Sequence, residues 1–203
     1  KGESDGRQGQ GAEVEATRGG REAHPQIVSK VMYKKLNKKE NKLALCSAIA
    51  ATASKEIVGL RGHKIEGIET FPIVVSNDIE SISKANDISK ILDSLKLKQD
   101  VERLESRKVR SGQSRLRGRS KKVGKSVLFV TKDVSNLSKA VGSFPGVEVR
   151  KVTDLSILDL APGAHPIRLT VYSKSAIEEI AKIKSAHLEL MVKTQWTSNK
   201  QWK

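Results

Sequence analysis

The sequence predicts an α/β fold: a three-layer domain with a mainly parallel central sheet, plus an extended, non-globular basic arm and loop. Three observations lead there. Short strand-like runs at 71–75, 127–130 and 168–172 alternate with segments of helical spacing, the rhythm of a parallel sheet with helices on its faces. A Gly-rich start has almost no large apolar side chains. A basic run from Arg107 to Lys125 has no apolar period that would bury it.

Residues 1–29 read as the arm. The first 25 contain six Gly and lack the apolar surface that offsets the ordering entropy of folding. Residues 30–185 read as the globular domain, with the basic loop 107–125 as an insertion. Within it, Asn37 and Glu40 have the spacing of a capping box. They open a helix whose small face carries Leu45, Ile49 and Ala53, with Gly59 and Gly62 ending it. Phe71–Val75, apolar throughout, reads as a buried strand. Asp87 is expected to cap a helix with Ile88, Ile91, Leu92 and Leu95 inward, and Val101 and Leu104 extend it by a turn or two.

After the basic loop, Val127–Val130 reads as a strand. Asp133 is expected to cap a helix through Val134, Leu137 and Val141 that stops at Gly142 and Pro145. Val147–Val149 is a short strand. Thr153-Asp154-Leu155 opens a brief helix ending at Ala161-Pro162-Gly163. Arg168–Tyr172 is a strand, and Ser173 or Ser175 caps a last helix through Ile177, Ile180 and Ile183. The tail 186–203 has two Trp and no clear period.

The chemistry points away from catalysis. No HExxH, CxxC or Gly-x-Ser-x-Gly occurs, so neither a metal nor a cofactor is expected. His24, His63, His165 and His187 are dispersed and read as loop histidines that bind nothing or touch a phosphate. The single Cys46 excludes an internal disulfide and reads as a buried structural thiol. Gly6, Gly9 and Gly11 follow the wrong order for a dinucleotide fingerprint, and no strand precedes them. No apolar stretch reaches a membrane span, so no membrane contact is expected.

Charge points to nucleic acid. The chain holds 38 Lys+Arg against 23 Asp+Glu, a formal net charge of +15. The run from Arg107 to Lys125 contains nine cations (Arg107, Lys108, Arg110, Arg115, Arg117, Arg119, Lys121, Lys122 and Lys125) and no acid. Such a density is expected to stay extended until a polyanion neutralises it. Arg presents a planar fork that fits phosphate, and interleaved Gly lets backbone approach backbone. Lys34, Lys35, Lys38 and Lys39 crowd the start of the first helix, while Arg7, Arg18 and Arg21 are spread along the arm. Aromatics are only 3%, too few for base-stacking platforms, which leaves folded RNA read by shape and phosphate.

The residues also carry a family resemblance. Arg7-Gln-Gly-Gln-Gly11, Arg18-Gly-Gly-Arg21, His24-Pro25 and Asn37 through Ala53 resemble the large-subunit ribosomal protein L four family in its archaeal and eukaryotic form. Gly62-His63-Lys64, Arg107–Arg119, Leu160–Gly163 and Leu169–Ile177 continue the match, from about residue 6 to about residue 183. The resemblance implies a structural rRNA-binding protein, not an enzyme, located on the cytoplasmic ribosome. Its partners would be large-subunit rRNA, neighbouring ribosomal proteins and the nascent chain. It implies an α/β domain on the subunit surface and a long loop reaching the peptide exit tunnel, of which residues 1–25 resemble the returning half. The family's first strand or two and the outgoing half of the loop would then precede Lys1, which is not a Met. Two features depart from the family: Glu13 and Glu15 sit in the arm, and 186–203 falls outside the match. The rival readings are a nucleotide-dependent RNA-modifying α/β enzyme with a basic substrate surface, and a nucleoid or chromatin protein that binds duplex DNA.

Overall fold

The computed structural model describes residues 15–16, 20–105 and 108–183. The chain divides into two units, Lys1–Leu36 and Asn37–Lys203. The described part of the first unit has no helix or strand. Its residues 21–36 are exposed, with one turn closed by the Lys30 N–H on the Ile27 carbonyl at 3.1 Å.

The second unit is built on a four-stranded, all-parallel sheet. Its strands are β1 (Ile73–Val75), β4 (Leu128–Thr131), β5 (Glu148–Lys151) and β6 (Thr170–Ser173), in spatial order β1-β6-β4-β5. Side chains alternate faces along a strand, and this alternation splits the core in two. Val127, Phe129 and Val171 face one apolar cluster, with Ile88 and Leu92 of α3 (Ala85–Ser94), Val101 of α4 (Lys98–Glu102) and Leu137 of α6 (Leu137–Val141). Leu128, Val130 and Tyr172 face the other. It holds Ala48 of α1 (Lys38–Ala51), Leu160 of α7 (Ile157–Leu160) and Ala176 of α8 (Lys174–Ile180). The result is helix, sheet, helix: the three-layer α/β arrangement that the sequence predicts. Each Leu, Ile, Val or Phe fully buried this way contributes about 1.5–3 kcal/mol.

Several local expectations are corrected. Of the run 71–75 only Ile73–Val75 is a strand, and it is an edge strand paired only with β6, which leaves Val74 exposed. Asn37 does not cap α1 through its side chain; its amide instead donates to the Glu40 carboxylate at 3.3 Å. The first helix ends at Ala51 and not at Gly59. There the Thr52 hydroxyl turns back onto the Ile49 carbonyl at 2.6 Å and meets the Tyr172 hydroxyl at 3.1 Å. A separate α2 (Lys55–Leu60) follows with Gly59 inside it. Leu45 and Ile49 are half-buried, Ala53 is exposed beyond the helix, and Ala48 is the fully buried residue. Cys46 is half-buried, not buried.

Neither aspartate is an N-cap, because each lies three residues from the residue in that place, Lys84 for α3 and Asn136 for α6. Asp87 sits in the first turn of α3, after an N-cap at Lys84, where its charge suits the helix dipole. Asp133 accepts the Ser135 N–H at 3.2 Å in a turn, and α6 starts only after Asn136. Residues 152–154 form a separate 3-10 turn. The helix behind it, α7, is capped by Ser156 in a complete box with Asp159. Of the two candidate caps of α8, Ser173 is the one that serves, accepting the Ala176 N–H at 3.2 Å.

Candidate nucleic-acid interface

The basic segment folds rather than staying extended. Lys108–Val109 (β2) pairs antiparallel with Lys121–Lys122 (β3), in register Lys108↔Lys122 and Val109↔Lys121. Arg110 N–H adds a bond to the Ser120 carbonyl at 2.8 Å. Between the strands lies one helical turn, α5 (Gln113–Leu116), flanked by Gly112 (φ +66°) and Gly118 (φ +78°) in the left-handed region that glycine tolerates. The Arg117 and Arg119 N–H groups reach the Gln113 and Ser114 carbonyls, both at 3.0 Å. Backbone hydrogen bonds thus hold a ribbon that has no apolar core. They turn its cations outward: Lys108, Arg115, Arg117, Arg119, Lys121, Lys122 and Lys125 are exposed, and Arg110 is half-buried. Among the described residues, only Lys125 of these eight pairs with an acid, Glu148.

The base of this hairpin is tied into the sheet. Ser126 N–H donates to the Gly146 carbonyl at 2.9 Å, and the Ser126 hydroxyl donates to Asp100 at 2.6 Å. Arg168 is fully buried, and its guanidinium donates to the carbonyls of Ser126, Val127 (3.1 Å) and Gly146 (2.7 Å) and to the Glu148 carboxylate (2.6 Å). Burial pulls the Arg168 pKa down, and Glu148 opposes that pull. Gly146 (φ +75°) packs so closely that an added Cβ would lie 2.6 Å from the Gly124 carbonyl.

His63, Asp100 and Ser126 meet in the interior, but not as a catalytic triad. Both His63 Nδ1 (3.0 Å) and the Ser126 hydroxyl bond to Asp100, while His63 Nε2 accepts the Leu169 N–H at 3.2 Å. A nucleophile needs its own bond to the base; here the base nitrogen is taken by backbone. His63 is therefore a buried structural residue, which corrects its reading as a loop histidine free to touch phosphate. Burial would raise the Asp100 pKa. The bonds from His63, Ser126 and the Lys64 N–H outweigh that and hold it far below the ordinary carboxylate range.

A nucleotide-binding α/β fold takes its ligand in the crevice beyond the carboxyl ends of its strands. Here the chain's own acid fills that place between β4 and β6. The Glu80 carboxylate accepts from Lys132 N–H (3.1 Å), Asp133 N–H (3.3 Å), and the Ser173 (2.7 Å) and Ser175 (2.5 Å) hydroxyls. Partial burial would raise its pKa, yet these donors lower it, so Glu80 stays charged and repels a phosphate.

Of the other cations singled out in the sequence, Arg21, Lys34 and Lys35 are exposed in the first unit. Lys38 and Lys39 are exposed in the first turn of α1, where cations oppose the helix dipole and so do nothing for the helix itself. Arg7, Arg18 and Arg107, like the tail 186–203, lie outside the described residues. A basic cavity at the hairpin base went unseen in the sequence. Arg61, Arg103, Lys125 and His165 line about 320 Å³ of open space. They come from distant positions with no local pattern, and the adjacent Gly62-His63-Lys64 was the nearest signal.

Among the described residues, no helix is long and apolar enough to cross a membrane. Comparison with known proteins supplies relatives. A large ribosomal subunit protein uL4 from Pyrobaculum aerophilum is 48% identical over 166 residues, 81% of this chain and 59% of the relative. Those from Sulfurisphaera tokodaii (44%) and Halobacterium salinarum (45%) each match 86% of this chain, and 66% and 70% of their own lengths. The chain therefore spans about three-fifths to seven-tenths of the length of these relatives. Residues 1–183 match the ribosomal protein L4/L1 family, and the chain belongs to that family.

Proposed function

We propose that this chain is a structural constituent of the large ribosomal subunit, not an enzyme, and that it grips rRNA through its basic hairpin and its N-terminal arm. One observation carries the reading: among the described residues, Lys108, Arg110, Arg115, Arg117, Arg119, Lys121 and Lys122 have no acidic partner, on a ribbon tied firmly to the domain. Folding alone gives no reason for such a ribbon. A polyanion does, since each phosphate neutralised releases a counterion.

The α/β domain then acts as a platform, and Arg7, Arg18, Arg21, Lys34, Lys35, Lys38, Lys39 and Arg107 supply further phosphate contacts. Family membership supports rRNA and neighbouring large-subunit proteins as partners, and the ribosome in the cytoplasm as the location. The arm approaches the peptide exit tunnel, meets the nascent chain there, and orders as rRNA folds around it during assembly. Sedimentation of the tagged full-length protein from extract tests this. The reading expects it in the large-subunit peak at both moderate and high salt. Release to the top of the gradient, or migration with DNA, would contradict it.

A further inference from the structure

The cavity at the hairpin base has the makings of an anion site. Its wall carries Arg61, Arg103 and Lys125, with His165 at the mouth. Arg61 is oriented by two carbonyl oxygens, donating to Pro166 at 2.7 Å and Pro162 at 3.2 Å. Carbonyls aim a guanidinium without neutralising it, and no acid pairs with Arg61 among the described residues. Arg103 spends Nε and one terminal nitrogen on Asp100, both at 3.1 Å, which leaves the other terminal nitrogen free. Arg168 stands behind the wall. Partial burial, and then the positive fields of Arg168 and Arg103, depress the Arg61 pKa. Of the three cations that line the concavity, Arg103 pairs with Asp100 and Lys125 with Glu148, so Arg61 leaves its wall with a net positive charge. A concave, half-desolvated cluster focuses field more strongly than a flat basic face, and Arg forks match tetrahedral oxyanions.

We infer that this cavity is a phosphate-binding site, and that its occupant is a single backbone phosphate of the RNA that the hairpin grips. Lys125 is both the last cation of the hairpin run and part of the wall, so a strand tracking the ribbon arrives at the cavity. The volume admits a phosphodiester with part of its ribose. Free inorganic phosphate shares the same chemistry and is the competing source. The RNA half of this inference rests on the function proposed above.

The test uses the full chain and three variants: Arg61→Gln, His165→Ala, and the hairpin triple Arg115→Ala, Arg117→Ala, Arg119→Ala. His165 is exposed and has no hydrogen-bond partner among the described residues, so His165→Ala reports on the site even where Arg61→Gln fails to fold. First, inorganic phosphate is titrated while the His165 ring and Arg61 side-chain signals are followed by NMR. Saturable shifts at both residues, weakened at least about tenfold in Arg61→Gln, are expected. Second, the salt dependence of binding to large-subunit rRNA is measured. Arg61→Gln should lose about one contact, a log–log slope smaller by about 0.7–0.9, and His165→Ala, which removes a hydrogen-bonding ring, should weaken binding at fixed salt. If the hairpin triple flattens the slope while Arg61→Gln leaves it at the wild-type value and His165→Ala binds as tightly as the parent, the cavity inference falls while the hairpin reading stands. Should phosphate bind at the cavity with that slope unchanged, the occupant is the free ion, and the RNA assignment is overturned. If no variant alters RNA binding, the proposed function itself fails.

Discussion

The Ser126 hydroxyl donates to the Asp100 carboxylate at 2.6 Å, which joins the strand-side end of the basic hairpin to the helix that precedes it. Asp100 is wholly buried and also accepts from His63, from Arg103 and from the Lys64 backbone. One acid therefore gathers three segments beneath the hairpin: residues 63–64, its own helix with Arg103, and Ser126.

Removing it should be severe. Asp100→Ala leaves the His63, Ser126 and Lys64 donors and the Arg103 charge without their acceptor, and breaking a buried ion pair costs about 3–5 kcal/mol. Ser126→Ala removes one bond and should cost about 1–2 kcal/mol. Urea denaturation of both variants measures the difference. Equal small losses would show that the cluster is not an anchor.

The same acid sets an acid limit. Its folded pKa lies below the ordinary 3.8, so the unfolded chain binds the proton more readily. Its contribution should be complete above about pH 4 and should fade as pH drops through the lower, folded value. Asp100→Asn should remove this part of the acid sensitivity. Thermal melts from pH 6 down to pH 2 give the comparison, and a variant as acid-labile as the parent would oppose the assignment.

Two glycines separate backbone strain from crowding. Gly62 (φ +87°) has open space at its Cβ position, whereas Gly146 (φ +75°) faces Leu104 and the Gly124 carbonyl. Gly62→Ala should cost about 1–2 kcal/mol for left-handed backbone alone. Gly146→Ala should cost that and a further ~1–3 kcal/mol for overpacking. Chemical denaturation that found the two equal would mean that the Gly146 contact relaxes freely.

Glu80 makes a prediction about ligands. With its carboxylate held between β4 and β6 by two backbone N–H groups and two hydroxyls, nucleotides and S-adenosylmethionine should leave the melting temperature unchanged. A ligand at 100 times its Kd would add about 2.7 kcal/mol. A clear rise with any of them would favour the enzyme reading.

The sequence reveals this fold where a pattern is local and strong. Ile88, Ile91, Leu92 and Leu95 mark the inner face of α3, and the apolar run 127–130 marks a central strand. It misleads where the outcome depends on neighbours. Val74 is as apolar as Ile73, yet lies exposed because no strand covers that edge. Asp87 and Asp133 carry capping chemistry one turn away from the actual caps. For the interface, the charge of 107–125 is plain in the sequence. Its hairpin shape is not, because backbone bonds and two left-handed glycines hold it without an apolar signature. Arg168 and Glu148 fall in separate predicted strands, and only the sheet brings them together.

The central claim is that the hairpin cations bind RNA phosphate, and the hairpin triple variant tests it most directly. Its binding to large-subunit rRNA should weaken, with the log–log salt slope smaller by about two to three, while its urea midpoint stays close to that of the parent because these side chains are exposed. Affinity and slope equal to those of the parent, at unchanged stability, would contradict the account.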